Sequence, residues 1–430
     1  MQSEIALNVQ QSIRPGECID TYYAGKENSL KQCHATVEDN RFFQGLQSLT
    51  SGSSSTITFN PNEGLAEVIV TMVLDAPPAP GTGVGLALAE GWGYALLRRI
   101  GYRYGSSQLY YITGAQNLMQ SLALCEDSGK KEQLFYLGGQ AILSPADWAD
   151  VAKRTAYVYL RLPHSSPALS GGALPFCSDV LTAPIQLQID LADFDRVIST
   201  QAGADAAPSK LTSGSVNFTQ VTMQDAGDLV ARRFDMSKRA LTIPLVEGWT
   251  QEQISFPFVS GSDGSFALSL TGCKAGDLKK LRVFFSDPAD VAGGVGVKNP
   301  NLWIAPSQVR FAINGLTYFD SASGSYLLTN LLRRRTSPSI TYSDLIAPVA
   351  PGSPYTTGDN VSQWVEIDLS QPYTIGNSQE VALVHGVPVM NSVLNLTGVM
   401  AQSSYNYVCN VEYVLNCSWM ASRGSAEFVF

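Results

Sequence analysis

The chain has 430 residues, 45% of them hydrophobic and only 15% charged, where an average soluble protein carries about 25% charged residues. With 10% aromatic residues and 45% hydrophobic ones, intrinsic disorder, which needs low hydrophobicity and high charge, is excluded. The 28 Lys and Arg against 37 Asp and Glu give a formal net charge of −9. That balance excludes a protein whose main work is coating nucleic acid, since neutralising phosphates requires a basic surface.

The N-terminal stretch from Met1 to Glu17 lacks the basic-then-apolar order of a secretory signal. No stretch approaches the roughly eighteen apolar residues of a membrane span. Strand signals then dominate. Thr56 to Phe59, Glu67 to Leu74, Ala156 to Leu162, Phe266 to Leu270 and Leu281 to Phe285 are β-rich runs. Ile100, Tyr102 and Tyr104 alternate with Arg99, Gly101 and Arg103, and Ile185, Leu187, Ile189 and Leu191 alternate with Gln186, Gln188 and Asp190. Such period-two patterns predict strands with one buried face. Turn clusters at Ser51 to Ser55, Pro77 to Gly81 and Ser260 to Gly264 punctuate them. Many short strands between Gly, Pro and Ser loops predict an all-β sandwich or barrel.

Helices are expected to be few. Ser144-Pro145-Ala146-Asp147 places a capping serine, a proline at the first helical position and an acid in the first turn. That helix is predicted to run to about Arg154. A second is predicted from near Asp225, through Leu229, Val230, Arg232, Arg233 and Phe234, with an acidic start and a basic end that suit the helix dipole.

An internal repeat organises these elements. Tyr102 to Tyr111 (YRYGSSQLYY) aligns with Val309 to Tyr318 (VRFAINGLTY), keeping an arginine, two ring positions and a leucine in register. VLDAP, ending at Pro77, aligns with FFSDP, ending at Pro288. Ala173-Leu174 aligns with Ala382-Leu383, and Ile189 to Leu191 with Leu394 to Leu396, all at nearly the same offset. Four matches in order indicate duplication. The predicted organisation is an N-terminal arm (1–18), a first sandwich (19–224), a connecting helix (225–238) and a second sandwich (239–430).

A search for chemistry finds no catalytic residue, cofactor-binding residue or metal ligand to assign. The three histidines, His34, His164 and His385, are isolated, whereas a metal site needs clustered ligands. No nucleophile elbow is present. Gly81-Thr82-Gly83-Val84-Gly85 lacks the lysine and the βαβ setting of a phosphate cradle and reads as a flexible loop. Asp190, Asp193 and Asp195 read as a solvated strand end. Seven scattered cysteines without a CxxC pair read as reduced, buried thiols. Six dispersed tryptophans read as packing residues. The basic runs Arg98-Arg99, Lys130-Lys131 and Arg333 to Arg335 read as solvated loops or strand ends.

With these features in place, the chain resembles the double jelly-roll major capsid proteins of nucleocytoplasmic large DNA viruses and related dsDNA viruses. The resemblance lies in Ile19 to Gly25 (IDTYYAG), Ile57 to Pro77, Tyr94 to Leu124, Leu174-Pro175-Phe176 with Ala183 to Phe194, Val216 to Met236, and Asn410 to Phe430. It implies an all-β fold of two tandem eight-stranded jelly-roll sandwiches with short helices in the connections. It further implies a structural, non-enzymatic subunit of the virion, without cofactor, that forms homotrimers with a near-hexagonal footprint. Neighbouring capsomers, minor capsid or cement proteins and an internal membrane are its implied partners, with no sequence-specific nucleic acid binding. Loops Ser260 to Ser265 and Pro348 to Gly358 would form outer towers, and the N-terminal arm would face inward. A minor capsid component of the same fold, and a tandem jelly-roll carbohydrate-binding or glycan-processing protein, remain the alternatives.

Overall fold

A computed structural model describes residues 38–59, 64–79, 81–104, 107–124, 128–160, 184–222, 241–256, 264–286, 306, 308–321, 365–369, 371–373, 383–400, 407–422 and 425–429. The expected arm (1–18) and connecting helix (225–238), with the predicted helix at Asp225, lie outside the described residues. So do Ile19 to Gly25, Leu174 to Phe176, Ala173-Leu174, His34, His164 and the Pro348 to Gly358 loop.

The first eight long strands are β1 (Glu38–Gly45), β2 (Ser54–Thr58), β3 (Gly64–Leu74), β4 (Leu97–Tyr104), β5 (Ser107–Ile112), β6 (Thr155–Tyr159), β7 (Ile185–Leu191) and β8 (Leu211–Thr222). They form two four-stranded antiparallel sheets, in the orders β1-β8-β3-β6 and β2-β7-β4-β5. Alternation explains the burial. In β2, Ser55 and Ile57 turn inward while Ser54 and Thr58 face water, and in β7 Ile185, Leu187 and Ile189 are buried. These side chains meet Val68, Val70, Met72, Ile100, Tyr102 and Val216 in one core between the sheets. Each such aliphatic side chain contributes about 1.5–3 kcal/mol by leaving water.

The second eight repeat the plan: β9 (Leu241–Phe256), β10 (Ser265–Leu270), β11 (Gly276–Ser286), β12 (Gln308–Ile313), β13 (Leu316–Ser321), β14 (Val365–Asp368), β15 (Leu394–Val399) and β16 (Tyr407–Ser422). Their sheets run β9-β16-β11-β14 and β10-β15-β12-β13, the same order strand for strand. Ser425–Val429 continues the first of these by pairing with β16. Leu268, Leu281, Val283, Phe311, Leu396 and Val411 belong to a separate second core. Three of the four sequence matches fall on equivalent strands. The first pairs the β4–β5 hairpin with β12–β13, the second the ends of β3 and β11, and the third β7 with β15. Each sandwich therefore has the eight-stranded arrangement of a jelly roll.

Among the described residues, four α-helices sit in the loops of the first sandwich: α1 (Trp92–Leu96), α2 (Gly114–Leu124), α3 (Ser128–Leu137) and α4 (Pro145–Ala149). The strand-dominated sequence reading does not anticipate α3. Ser144 does cap α4, in a reciprocal arrangement with Asp147. The helix stops at Ala149 rather than near Arg154, because Asp150 is extended and its carboxylate accepts the Ala152 N–H at 2.8 Å. Arg154 instead anchors the entry to β6, its guanidinium donating to the Leu74 carbonyl at 2.7 Å.

Candidate functional site

The sequence candidates for chemistry resolve into structural roles. Thr82, Gly83 and Val84 donate their backbone N–H groups to one oxygen of Asp205, at 2.8, 2.7 and 2.9 Å. Successive N–H groups make an anion-binding concavity, and here the protein's own carboxylate occupies it. The loop is thus tied down, which corrects its reading as a flexible one. The signal was invisible because Asp205 lies more than a hundred residues further along. Asp190 is buried and accepts from Ser54 and Gln188, so it is an internal hydrogen-bond acceptor rather than a solvated strand end. Asp193 is exposed beside Arg196.

Glu252 on β9 closes the β10–β11 turn. Its carboxylate accepts from the Thr271 and Gly272 N–H groups and from the Tyr413 hydroxyl, the last at 2.7 Å. Burial pushes this carboxyl up, but hydrogen bonds from Thr271, Gly272 and Tyr413 outweigh it and hold the group below its usual range. Cys409 is buried and Cys273 half-buried, both as free thiols. Burial, with Glu252 nearby, raises the Cys273 thiol to about 12, well away from the reactive range. Trp92 and Trp148 are buried and donate to the Gln140 and Leu86 carbonyls. His385 lies in a short strand, Leu383–His385. Among the described residues, no three His, Cys, Asp or Glu side chains converge as a metal site, and no helix is long and apolar enough to cross a membrane.

The distinctive construction lies where the sandwiches meet. β11 is buried on both faces. Leu281, Val283 and Phe285 point into its own core, whereas Phe284 belongs to the core of the first sandwich. On the same outer face, Arg282 donates through Nε to Glu366 at 2.8 Å, and its Nη1 lies 3.5 Å from Glu412. Lys280 approaches Glu366 at 3.7 Å. From the first sandwich, Gln120 on α2 donates to Glu412 at 2.7 Å. Two cations and two carboxylates thus balance in a seam sealed by a helix.

α2 explains the seal. Leu118, Met119 and Leu122 enter the first core, and Gln116, Asn117, Gln120 and Ser121 on the rest of the helix are also buried. A helix with a polar yet buried flank has to face a partner able to hydrogen-bond. Asn117 donates to the Tyr159 carbonyl at 2.8 Å, and Gln120 reaches the second sandwich. Burial pushes the Glu412 carboxyl up, against the pull of Arg282 and Gln120 in the other direction. Sequence reasoning missed this cluster. The signal was a charge flanked by apolar residues in strands at the middle of a sheet, as in Leu281-Arg282-Val283 and Val411-Glu412-Tyr413.

No family model and no curated protein sequence matches the chain. Solved structures do. The PBCV-1 virus capsid superposes with a TM-score of 0.62 at 10% identity, over 92% of this chain and 97% of that one. The Sputnik virophage structure gives 0.53 at 11% identity, over 92% and 89%. The Faustovirus major capsid protein gives 0.52 at 8% identity, over 98% and 97%. The fold is a double jelly roll. The double jelly roll of this chain is the one found in virus capsid proteins, reached here through a sequence only about one-tenth identical to theirs.

Proposed function

We propose that this chain is a virus shell subunit, a major capsid protein that associates as a homotrimer and tiles an icosahedral facet. The observation that carries this reading is the presence, in one chain, of two sandwiches of identical strand order locked by a buried seam. Two near-equivalent units per chain make three chains equivalent to six units around a closed ring, and a six-sided block packs laterally with few distinct contacts. The likeness of fold to virus capsid proteins supports the same reading, and the low charge content suits a surface spent on protein contacts. The subunit's place is then the virion shell, its partners are copies of itself and neighbouring capsomers, and its work is mechanical rather than catalytic.

Light scattering on the purified chain, coupled to size exclusion, tests this. A mass of three 46.2 kDa chains is expected, with six-sided particles in negative stain. A monomer at every concentration would overturn the proposal.

A further inference from the structure

Two loops that close one end of the second sandwich are knitted together. The β12–β13 turn is Asn314-Gly315, with φ of +50° and +80°, the Asn-Gly pair that a tight hairpin favours. Asn314 makes two hydrogen bonds with Val393. Its N–H donates to the Val393 carbonyl at 2.9 Å, and its Oδ1 accepts the Val393 N–H at 2.8 Å. The Asn314 amide also donates to Ser392 Oγ at 3.3 Å. The loop before β15 is thereby fixed to the hairpin, and the two form one tip.

This tip is apolar and stands clear of the fold. Leu316 is 68% exposed, Met390 74% and Val393 58%, and a Cβ on Gly315 would meet nothing within 4 Å. Neither 311–319 nor 387–400 contains a charged residue. The core does not call on these side chains, since their neighbours Ile313 and Leu394 fill it instead. Exposed aliphatic side chains gathered in this way mark a contact surface.

The order of side chains away from the tip identifies what it contacts. Leu316, Met390 and Val393 come first. Tyr318, 43% exposed, follows on β13. Arg310 and Asp320, paired across β12 and β13, come next, about 10 Å up the strands from Leu316. Apolar side chains, then an aromatic ring with a polar end, then charges is the order of environments met on leaving the acyl region of a bilayer. The uncharged depth also matches the roughly 5–10 Å to which interfacial segments bury. A protein pocket would require a complementary cavity but would impose no such grading. Charge beside the tip is balanced. The pairing of Gly276–Leu278 with Val387–Val389 brings the β10–β11 turn alongside, with Lys274 and Asp277, one of each sign. That balance suits a zwitterionic headgroup layer rather than a strongly anionic one.

We infer that the tip formed by Leu316, Met390 and Val393 is a lipid-contacting site that inserts into the interfacial layer of a bilayer. The inference goes beyond the proposed function, and a single copy can show it without assembling. Three aliphatic side chains hold one copy weakly and reversibly, as a single short acyl chain does. Copies arrayed in a shell would hold far more firmly, through multivalency. The attraction is apolar, so salt screening leaves it intact.

The test is flotation of the full-length chain with phosphatidylcholine vesicles at millimolar lipid, in low and high salt. The wild type should float equally in both. Leu316→Glu and Met390→Glu should each weaken partitioning by about tenfold or more, the effect of replacing one inserted aliphatic side chain by a charge. Leu143→Glu, at an exposed apolar position of the first sandwich, should float as the wild type does. Circular dichroism checks that each variant folds. Leu316→Trp adds a signal that misfolding cannot supply, since its emission should shift to the blue with vesicles and be quenched by brominated acyl chains. A wild type that stays at the bottom, that floats only in low salt, or whose flotation survives both glutamates would overturn the site. So would a tip that captures a protein partner while ignoring lipid. Light scattering separates this from assembly: a monomer that floats keeps the lipid site and removes the shell reading, and a trimer that does not float does the reverse.

Discussion

Gln120 and Glu412, 292 residues apart in the chain, are joined by a buried 2.7 Å hydrogen bond between the two sandwiches. The bond makes each sandwich complete the other. Without α2, Glu412 would compete with Glu366 for Arg282 alone, and without Glu412 the Gln120 amide would lose its acceptor. A half-satisfied buried polar group costs more than an apolar one, so the contact specifies which surfaces meet.

Glu412→Gln tests the charge balance of the seam. A carboxyl whose folded pKa lies above its unfolded value favours folding while protonated, and that contribution is lost as pH rises from the unfolded value through the folded one. Glu412 is such a group, first through burial. It is faced by Arg282 on β11, Glu366 on β14 and Gln120 on α2. The stability of the variant relative to wild type should therefore rise as the pH increases above the usual carboxylate range, as measured by urea melts. The opposite slope would mean that Arg282 outweighs burial. Arg282→Met should cost about 3–5 kcal/mol, since it removes the cation shared by two buried carboxylates and leaves Glu366 with Lys280 and Glu412 with Gln120.

Phe284→Ala tests mechanical coupling. The side chain is carried by the second sandwich but packed in the core of the first, so its truncation removes apolar contact from both. A loss of about 3–5 kcal/mol is expected for such a buried ring. Calorimetry should show one transition in the wild type and two in the variant, as the sandwiches begin to melt separately. A single transition shifted down as a unit would show that Phe284 is not the coupling element.

Much of this architecture is legible in the sequence, and the parts that are not share a cause. β7 announces itself because Ile185 to Leu191 alternates Ile or Leu with Gln, and water supplies the contrast between its faces. β11 hides half of its length, since Lys279, Lys280 and Arg282 look solvated. Two of these, Lys279 and Arg282, are in fact buried, by elements distant in the chain. α2 is obscured in the same way, because Gln116, Asn117 and Gln120 resemble a wet face and are dry. The repeat was readable in the β4–β5 and β12–β13 hairpins, but two residues out of register: the strand pairing sets buried Tyr102 equivalent to buried Phe311, where the sequence match sets it against Val309. The seam was not readable, because a contact between unlike surfaces leaves no periodicity within either one.

The loop at Thr82 to Val84 offers a local test. Asp205→Ala should remove the acceptor from three N–H groups, and amide exchange at residues 82–84 should rise while the global melting temperature barely moves. Gly83→Ala acts differently. Its φ of +88° disfavours a side chain, and a Cβ there would collide with the Trp148 ring. That variant should lower the melting temperature of the whole first sandwich, because Trp148 must shift out of its core. Equal effects from the two substitutions would show that the loop and Trp148 are not separable.

Asp147 supplies the acid-sensitive element of the same loop cluster. Its carboxyl is lowered to about 2, chiefly by the hydrogen bond from Lys153, with the Leu143 N–H and Ser144 assisting and partial burial opposing. Because the folded value lies below the unfolded one, its contribution is present above about pH 4 and is lost as pH falls towards 2. Amide exchange in residues 143–153, corrected for its intrinsic pH dependence, should therefore quicken across that interval in the wild type. Asp147→Asn should show the faster exchange at every pH, with no inflection, because the ionised acceptor is absent throughout. Ser144→Ala should cost about 1 kcal/mol, the usual loss of an N-cap, yet keep the inflection, since the Lys153 contact to Asp147 survives. An unchanged profile in Asp147→Asn would place the acid sensitivity elsewhere, with the Asp205 carboxylate the next to examine, as it too is held below its usual range, first by the Val84 N–H.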